Sequence, residues 1–179
     1  MDAERHVWTL LLHRTLPSSL AAVIPFAFLR PFLPLACAWA AAQERNITRD
    51  GVALTPGQVA DARRIGVAKP EQVRLRVADK VPPSLSWVLE RLAKPTGLVS
   101  EHTIGMTLRY GIFIRADHWG ERRLLVHELA HTAQYERLGG FRPFLEVYLA
   151  ECFTPPGYPF GALEEEAKRI EQEICGTAR

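Results

Sequence analysis

The stretch Leu124-Leu125-Val126-His127-Glu128-Leu129-Ala130-His131-Thr132-Ala133-Gln134 decides how this chain is read. It contains an H-E-x-x-H pentad inside a run with helical spacing. On a helix, residues four apart lie on one face, so the imidazoles of His127 and His131 can reach one metal ion. Glu128 follows the first histidine, where a carboxylate can take a proton from water beside that metal. The run from Glu121 to Leu138 is expected as helix, with Gly139-Gly140 as its stop. Leu124, His127, His131, Gln134 and Leu138 are expected to face a cleft. Leu125, Val126, Leu129, Ala130 and Ala133 are expected to pack on the core.

A catalytic zinc ion usually takes three protein ligands and keeps one position for water. Downstream of His131 the chain offers Glu136, Glu146, Glu151, Cys152, Glu164, Glu165 and Glu166. Glu136 is on the same helix and points away from the histidines. Glu146 and Glu151 fall in a second helical run, Phe144 to Cys152. Thr154-Pro155-Pro156-Gly157-Tyr158-Pro159-Phe160-Gly161 must turn the chain back, because its prolines and glycines cannot continue a helix. A third helix begins at Ala162. Its first turn carries Glu164-Glu165-Glu166, which also suits the positive end of a helix dipole in water.

Here the segment resembles the gluzincins, in which H-E-x-x-H on one helix is completed by a glutamate on a later one, often opening an E-x-x-A-[D/N] run. Glu164-Glu165-Glu166-Ala167 matches the first four of those positions, so the resemblance selects Glu164 as third ligand, with Glu166 as the alternative. More narrowly, His127 to Ala167 resembles small bacterial metallopeptidase-like proteins related to the DUF4157 domain. The matching residues are His127-Glu128-Leu129-Ala130-His131-Thr132-Ala133-Gln134-Tyr135-Glu136-Arg137-Leu138-Gly139-Gly140, then Gly157-Tyr158 and Leu163-Glu164-Glu165-Glu166-Ala167. The resemblance covers about the last third of the chain and the strand before the metal helix. It implies an α+β, zincin-like fold: a small sheet, the H-E-x-x-H helix and two further helices. It also implies Zn²⁺ as cofactor and a peptide or protein as substrate, with a sheet edge running beside the cleft. One position departs from the pattern. Lys168 stands where many gluzincins carry an acid or amide that accepts from a ligand histidine. Glu165, Glu166 or a backbone carbonyl must serve instead.

An oxyanion formed at a peptide carbonyl needs a donor besides the metal. Tyr158, just before the third helix, is the candidate, ahead of Tyr110, Tyr135 and His102. Gln134 is expected to support the site. His118 reads as a capping or surface residue, and His6 and His13 as surface residues.

The chain has 179 residues, 47% apolar and 23% charged, with net charge +2. That is the size of one domain, with an appendage. The charge and the absence of a basic run with interleaved aromatics argue against nucleic-acid binding. Cys37, Cys152 and Cys175 are scattered and odd in number, which suits buried small side chains rather than disulfides. Residues 1–45 are expected as an apolar helical segment and 46–179 as the metallopeptidase-like domain. Leu16 to Ala42 has Arg30 as its sole charge and is broken by Pro25, Pro31 and Pro34. A membrane anchor and a cleaved signal are alternatives to proline-broken helix lying on the domain or a membrane surface. Arg30 in a bilayer core would cost about 2.5–3.5 kcal/mol. The expected location is cytoplasmic or membrane-associated, ahead of export by a cleaved signal.

Between these regions, Asn46 to Leu54 reads as a linker. Thr55-Pro56 starts a helix ending near Ile65-Gly66. Val73 to Val77 alternates as a strand. A helix is expected from Ser84 to about Ala93. Strands are expected over Thr103–Leu108 and Tyr110–Arg115. The leading functional expectation is peptide hydrolysis with Glu128 as general base. A binding module with an inactive, structural metal site is the alternative.

Overall fold

The computed structural model describes residues 30–82 and 102–176. Their order is a short 3-10 turn at Arg30–Phe32, then α1 (Leu33–Asp50), β1 (Val52–Ala53), α2 (Pro56–Ile65) and β2 (Arg74–Ala78). After these come β3 (Gly105–Leu108), β4 (Gly111–Arg115), α3 (Arg122–Leu138), α4 (Phe141–Phe153) and α5 (Ala162–Cys175). The fold is α+β, with a small mixed sheet in the order β1-β2-β4-β3. β2 and β4 run parallel, and β1–β2 and β3–β4 are antiparallel.

β4 is the central strand, and Gly111 to Ile114 are all buried. Successive side chains on a strand point to opposite faces. Ile112 and Ile114 accordingly pack with Leu75, Ala62, Leu124, Leu125 and Leu129 on the α2–α3 side. Phe113 packs with Ala40, Ile47 and Leu108 on the α1 side. A third cluster of Tyr135, Phe144 and Leu163 joins the three C-terminal helices.

α2 starts as the Thr55-Pro56 pair requires. The Thr55 side chain accepts from Gln58 N–H, the Gln58 side chain accepts from Thr55 N–H, and Pro56 supplies a preset φ. α3 ends at Gly139, whose φ of 94° is the left-handed conformation open to glycine.

The linker expected at Asn46–Leu54 is not one. α1 continues through Asn46 to Asp50, because Ile47 is fully buried against the sheet, and β1 follows at once. Packing of one apolar side chain outweighs the weak helix preference of Asn, Thr and Asp around it. Pro34 sits in the first turn of α1, where it is tolerated. No helix among the described residues is long and apolar enough to cross a membrane. The expected helix at Ser84–Ala93, residues 16–29, His6 and His13 lie outside the described residues. Of the cysteines, Cys152 is buried, whereas Cys37 and Cys175 are half-buried, so the buried reading holds for one of the three.

The β3–β4 hairpin turns through Arg109 and Tyr110, since Leu108 pairs with Gly111. Arg109 has φ 60°, a left-handed conformation that costs an L-residue about 1–2 kcal/mol. Several contacts hold it there. Its guanidinium makes a two-pronged pair with the buried Glu44 of α1, at 2.7 and 2.9 Å, and lies 5.1 Å from the Phe141 ring centroid. Thr132 Oγ1 of α3 donates to its carbonyl at 2.9 Å. Helices on two sides thereby fix the hairpin that borders the site described next.

Candidate metal centre

α3 is buried nearly all round, from Leu124 to Tyr135. Side chains on such a helix are held rigidly by their neighbours. Leu124 was expected to face a cleft. It instead joins Leu125 and Leu129 in the core under β4, because the apolar arc of α3 is wider than the polar one. The polar arc holds His127, His131 and Gln134.

His127, His131 and Glu164 come together and could hold a metal ion. His127 Nε2 lies 3.4 Å from Glu164 Oε2, and His131 Nε2 lies 3.5 Å from Glu164 Oε1. Glu164 is in the first turn of α5, and α5 packs along α3. The turn is set by Glu151 of α4, whose carboxylate accepts the Leu163 N–H at 3.0 Å. Tyr148, also from α4, donates its hydroxyl to Glu164 Oε1.

The opposite nitrogen of each ring also has a partner. Gln134 Nε2 donates to the Leu163 carbonyl at 2.8 Å and to Glu166 Oε2 at 3.0 Å, so its oxygen is turned to His131. That oxygen accepts from His131 Nδ1 at 2.8 Å. With its proton on Nδ1, the ring presents the Nε2 lone pair to the centre. His127 Nδ1 faces Glu171 Oε2 at 3.5 Å. Neither Glu165 nor Glu166 supports a histidine directly. Glu165 pairs with Lys168, and Glu166 pairs with Arg137 while orienting Gln134. Glu166 is therefore no ligand, nor is it simply in water.

Glu128 leaves this face for the sheet. Thr107 Oγ1 of β3 lies 2.6 Å from Glu128 Oε2 and 2.9 Å from the Glu128 carbonyl. Gly105, two residues along the same strand, leaves room for the carboxylate. A Cβ there would overlap Glu128 Oε1 and stand 2.9 Å from Cδ. A glycine inside a strand commonly marks such a close approach.

The charges respond to these neighbours. Burial alone would raise the Glu164 carboxyl, but His131 and His127 outweigh it and hold it well below the ordinary range. Burial would lower His127; Glu164, Glu171 and Glu128 overcome that and push it up to about 10. Burial raises Glu128, with the two histidines and Thr107 pulling the other way. Tyr158 is half-buried, and its phenol is raised by burial and then by the nearby Glu164 and Glu128 carboxylates. Those interactions put it near the cluster.

The remaining candidates have structural partners. Tyr110 donates to Glu136, whose other contacts are the backbone N–H groups of Ala68 and Lys69, on the side of α3 away from the histidines. Tyr135 is stacked on Phe144. His118 is half-buried and pairs with the Glu121 carboxylate before α3, which has no side-chain cap. His102 lies in the turn before β3, outside the cluster.

Sequence reasoning missed Glu171, Tyr148 and Thr107. Glu171 was findable: it lies seven residues after Glu164, two turns along the same helix face. Thr107 carries no local signal, because its role depends on which strand borders α3. The strand whose side chain meets Glu128 is β3, at the edge of the sheet among the described residues, and not the inner strand β4. No protein-family model, curated protein or solved structure matches this chain, so the reading of the centre stands on its own geometry.

Proposed function

We propose that the protein is a zinc-dependent peptidase with a zincin-like arrangement, in which His127, His131 and Glu164 hold the metal. The observation that carries this reading is the Nε2···Oε spacing of 3.4 and 3.5 Å. Ligand atoms about 2.0–2.1 Å from a tetrahedral zinc stand about 3.4 Å apart, and each imidazole nitrogen lies at about that spacing from one Glu164 oxygen, which supports this donor set. The spacings are also long for hydrogen bonds, and both imidazoles aim nitrogen rather than a ring edge at the carboxylate.

When bound, zinc supplies a Lewis acid that polarises a carbonyl and makes water more acidic. The chain's own residues do the rest. Thr107 anchors Glu128 Oε2, which leaves Oε1 as the oxygen to take a proton from the attacking water. The same oxygen returns that proton to the departing amine nitrogen. Tyr158 donates its hydroxyl to the carbonyl oxygen as charge builds there. Gly105 and Thr107 belong to β3, the edge strand among the described residues, whose outer side would offer backbone groups to an extended peptide.

A second reading has its own support. Glu128, His131 and Glu164 are only 5%, 6% and 5% exposed. Closed centres of this kind also serve structure, in which case the domain is a catalytically inactive binding module with a structural metal. Glu128→Gln separates the two. Metal content should persist in both cases, whereas unbiased peptide-library profiling should show cleavage by wild type that the variant loses if the protein is an enzyme. No cleavage by metal-loaded wild type favours the binding module.

A further inference from the structure

We infer that Glu171, clamped by Arg123, is the residue that sets the orientation and electron donation of His127, a part that neither the H-E-x-x-H pentad nor the Glu164-Glu165-Glu166-Ala167 run assigns. The inference rests on the metal-centre reading above and deepens it.

The two histidines are supported unequally. His131 leans on Gln134, three residues away on its own helix, through a neutral amide oxygen at 2.8 Å. His127 faces a carboxylate on the other helix, with Nδ1 3.5 Å from Glu171 Oε2, an ion-pair contact longer than the His131–Gln134 hydrogen bond. A carboxylate facing Nδ1 favours the proton there and leaves the Nε2 lone pair for the centre, and a charged group makes that nitrogen more basic than a neutral one does. Glu171 is itself tied down. Arg123 Nε donates to its Oε1 at 3.0 Å, with Nη2 at 2.9 Å from the same oxygen. Arg123 Nη1 donates to the Gly176 carbonyl at 2.9 Å, just past the end of α5. A carboxylate with one oxygen on a guanidinium keeps its charge and turns its other oxygen in a fixed direction. Here that direction is His127.

The neighbouring acid shows that this is not a generic helix-surface pair. Glu173 lies two residues on, is well exposed and bonds Arg169 of its own helix at 2.7 Å. Glu171 is largely sheltered, with its side chain 14% exposed, and its partners are both on α3. Glu164 and Glu171 are two turns apart on one face of α5, so this helix contributes a ligand and the support of another ligand. Arg123, one turn before His127, closes the set from α3.

The test is metal affinity, read without any substrate. Zinc dissociation constants are measured by chelator competition for wild type, Glu171→Ala, Glu171→Gln, Arg123→Met and Glu173→Ala. Cobalt(II) absorption is recorded for each, because its bands report ligand geometry. Glu171→Ala should bind zinc about 10- to 100-fold more weakly, the usual effect of losing such a partner, with altered cobalt bands. Glu171→Gln keeps an acceptor oxygen without the charge and should recover part of the loss. Arg123→Met should weaken binding in the same direction by less. Glu173→Ala should match wild type. If Glu171→Ala and Glu171→Gln both keep wild-type affinity and cobalt bands, Glu171 has no such role. Should Glu171→Ala fail to fold, an unchanged Glu171→Gln is enough to overturn it. Wild type that takes up no zinc would overturn the metal centre itself, a different and recognisable failure.

Discussion

The centre has a helical half and a strand half, built in different ways. In the helical half, His127 and His131 of α3 meet Glu164 of α5, each placed by helix spacing and by packing of two neighbouring helices. In the strand half, Glu128 is received by Thr107 and Gly105 of β3, whose position depends on a hairpin pinned from α1 and α3. On the proposed reading the first half would gather ligands and the second would place a proton acceptor. Holding a metal and moving a proton would then be separable, although the residues concerned are adjacent in sequence.

The sharpest way to break this comparison is Glu128→Gln. It changes the strand half only, preserves shape and cannot accept a proton. Peptide hydrolysis by the zinc-loaded protein should fall at least about a hundredfold, while zinc content and melting temperature stay near wild type. Equal loss of zinc would mean that the two halves are not separable.

Glu164→Gln attacks the helical half. It should weaken zinc binding by more than about a hundredfold, beyond the usual loss from an outer partner, and Glu165→Gln should leave affinity unchanged. Isothermal titration or chelator competition checks both, and a zinc-replete Glu164→Gln protein would remove Glu164 from the ligand set.

Gly105→Ala returns to the strand half by a gentler route. The added Cβ must push the Glu128 carboxylate aside, since it would otherwise overlap Oε1. We expect zinc affinity within a fewfold of wild type and hydrolysis reduced by roughly tenfold to a hundredfold, as for small misplacements of a reacting group. Unchanged turnover would show that Glu128 has slack.

The smallest effect concerns metal-free protein and pH. His127 is raised in the fold to about 10 from an ordinary 6.5. The folded state therefore binds its proton more tightly than the unfolded chain does. That stabilisation is complete below about pH 6.5 and is lost as pH rises through about 10. Chelated protein should lose a few degrees of melting temperature over that interval, and Glu171→Gln should flatten the slope. A flat profile for wild type would argue that His127 is not charged in the metal-free fold.

The helical half was legible because its rules are local. The i, i+4 pair, the stop at Gly139 and the turn from Thr154 to Gly161 are each set by residues close in sequence, while the choice of Glu164 among the glutamates comes from the resemblance. So was α2, where Thr55, Pro56 and Gln58 form a self-contained start. The strand half was not legible. The sequence reads as strands over Thr103–Leu108 and Tyr110–Arg115, yet it does not say which one lies inside the sheet. Pairing of β2 with β4 across an intervening stretch of chain decides that, and it makes Thr107 rather than a β4 residue the partner of Glu128. The end of α1 failed for a related reason: Ile47 is apolar inside a polar run, and only the sheet it packs on explains its place.

Arg109 also constrains how this sequence can change. Glycine at that turn would relieve the left-handed conformation, a local gain of about 1–2 kcal/mol. It would also take the guanidinium away from the buried Glu44 carboxylate, although Arg109 itself is partly exposed and the loss is smaller than for a fully buried pair. Turn strain and ion pairing therefore pull in opposite directions at this one position, and Glu44→Gln together with Arg109→Gly would relieve both the strain and the buried charge.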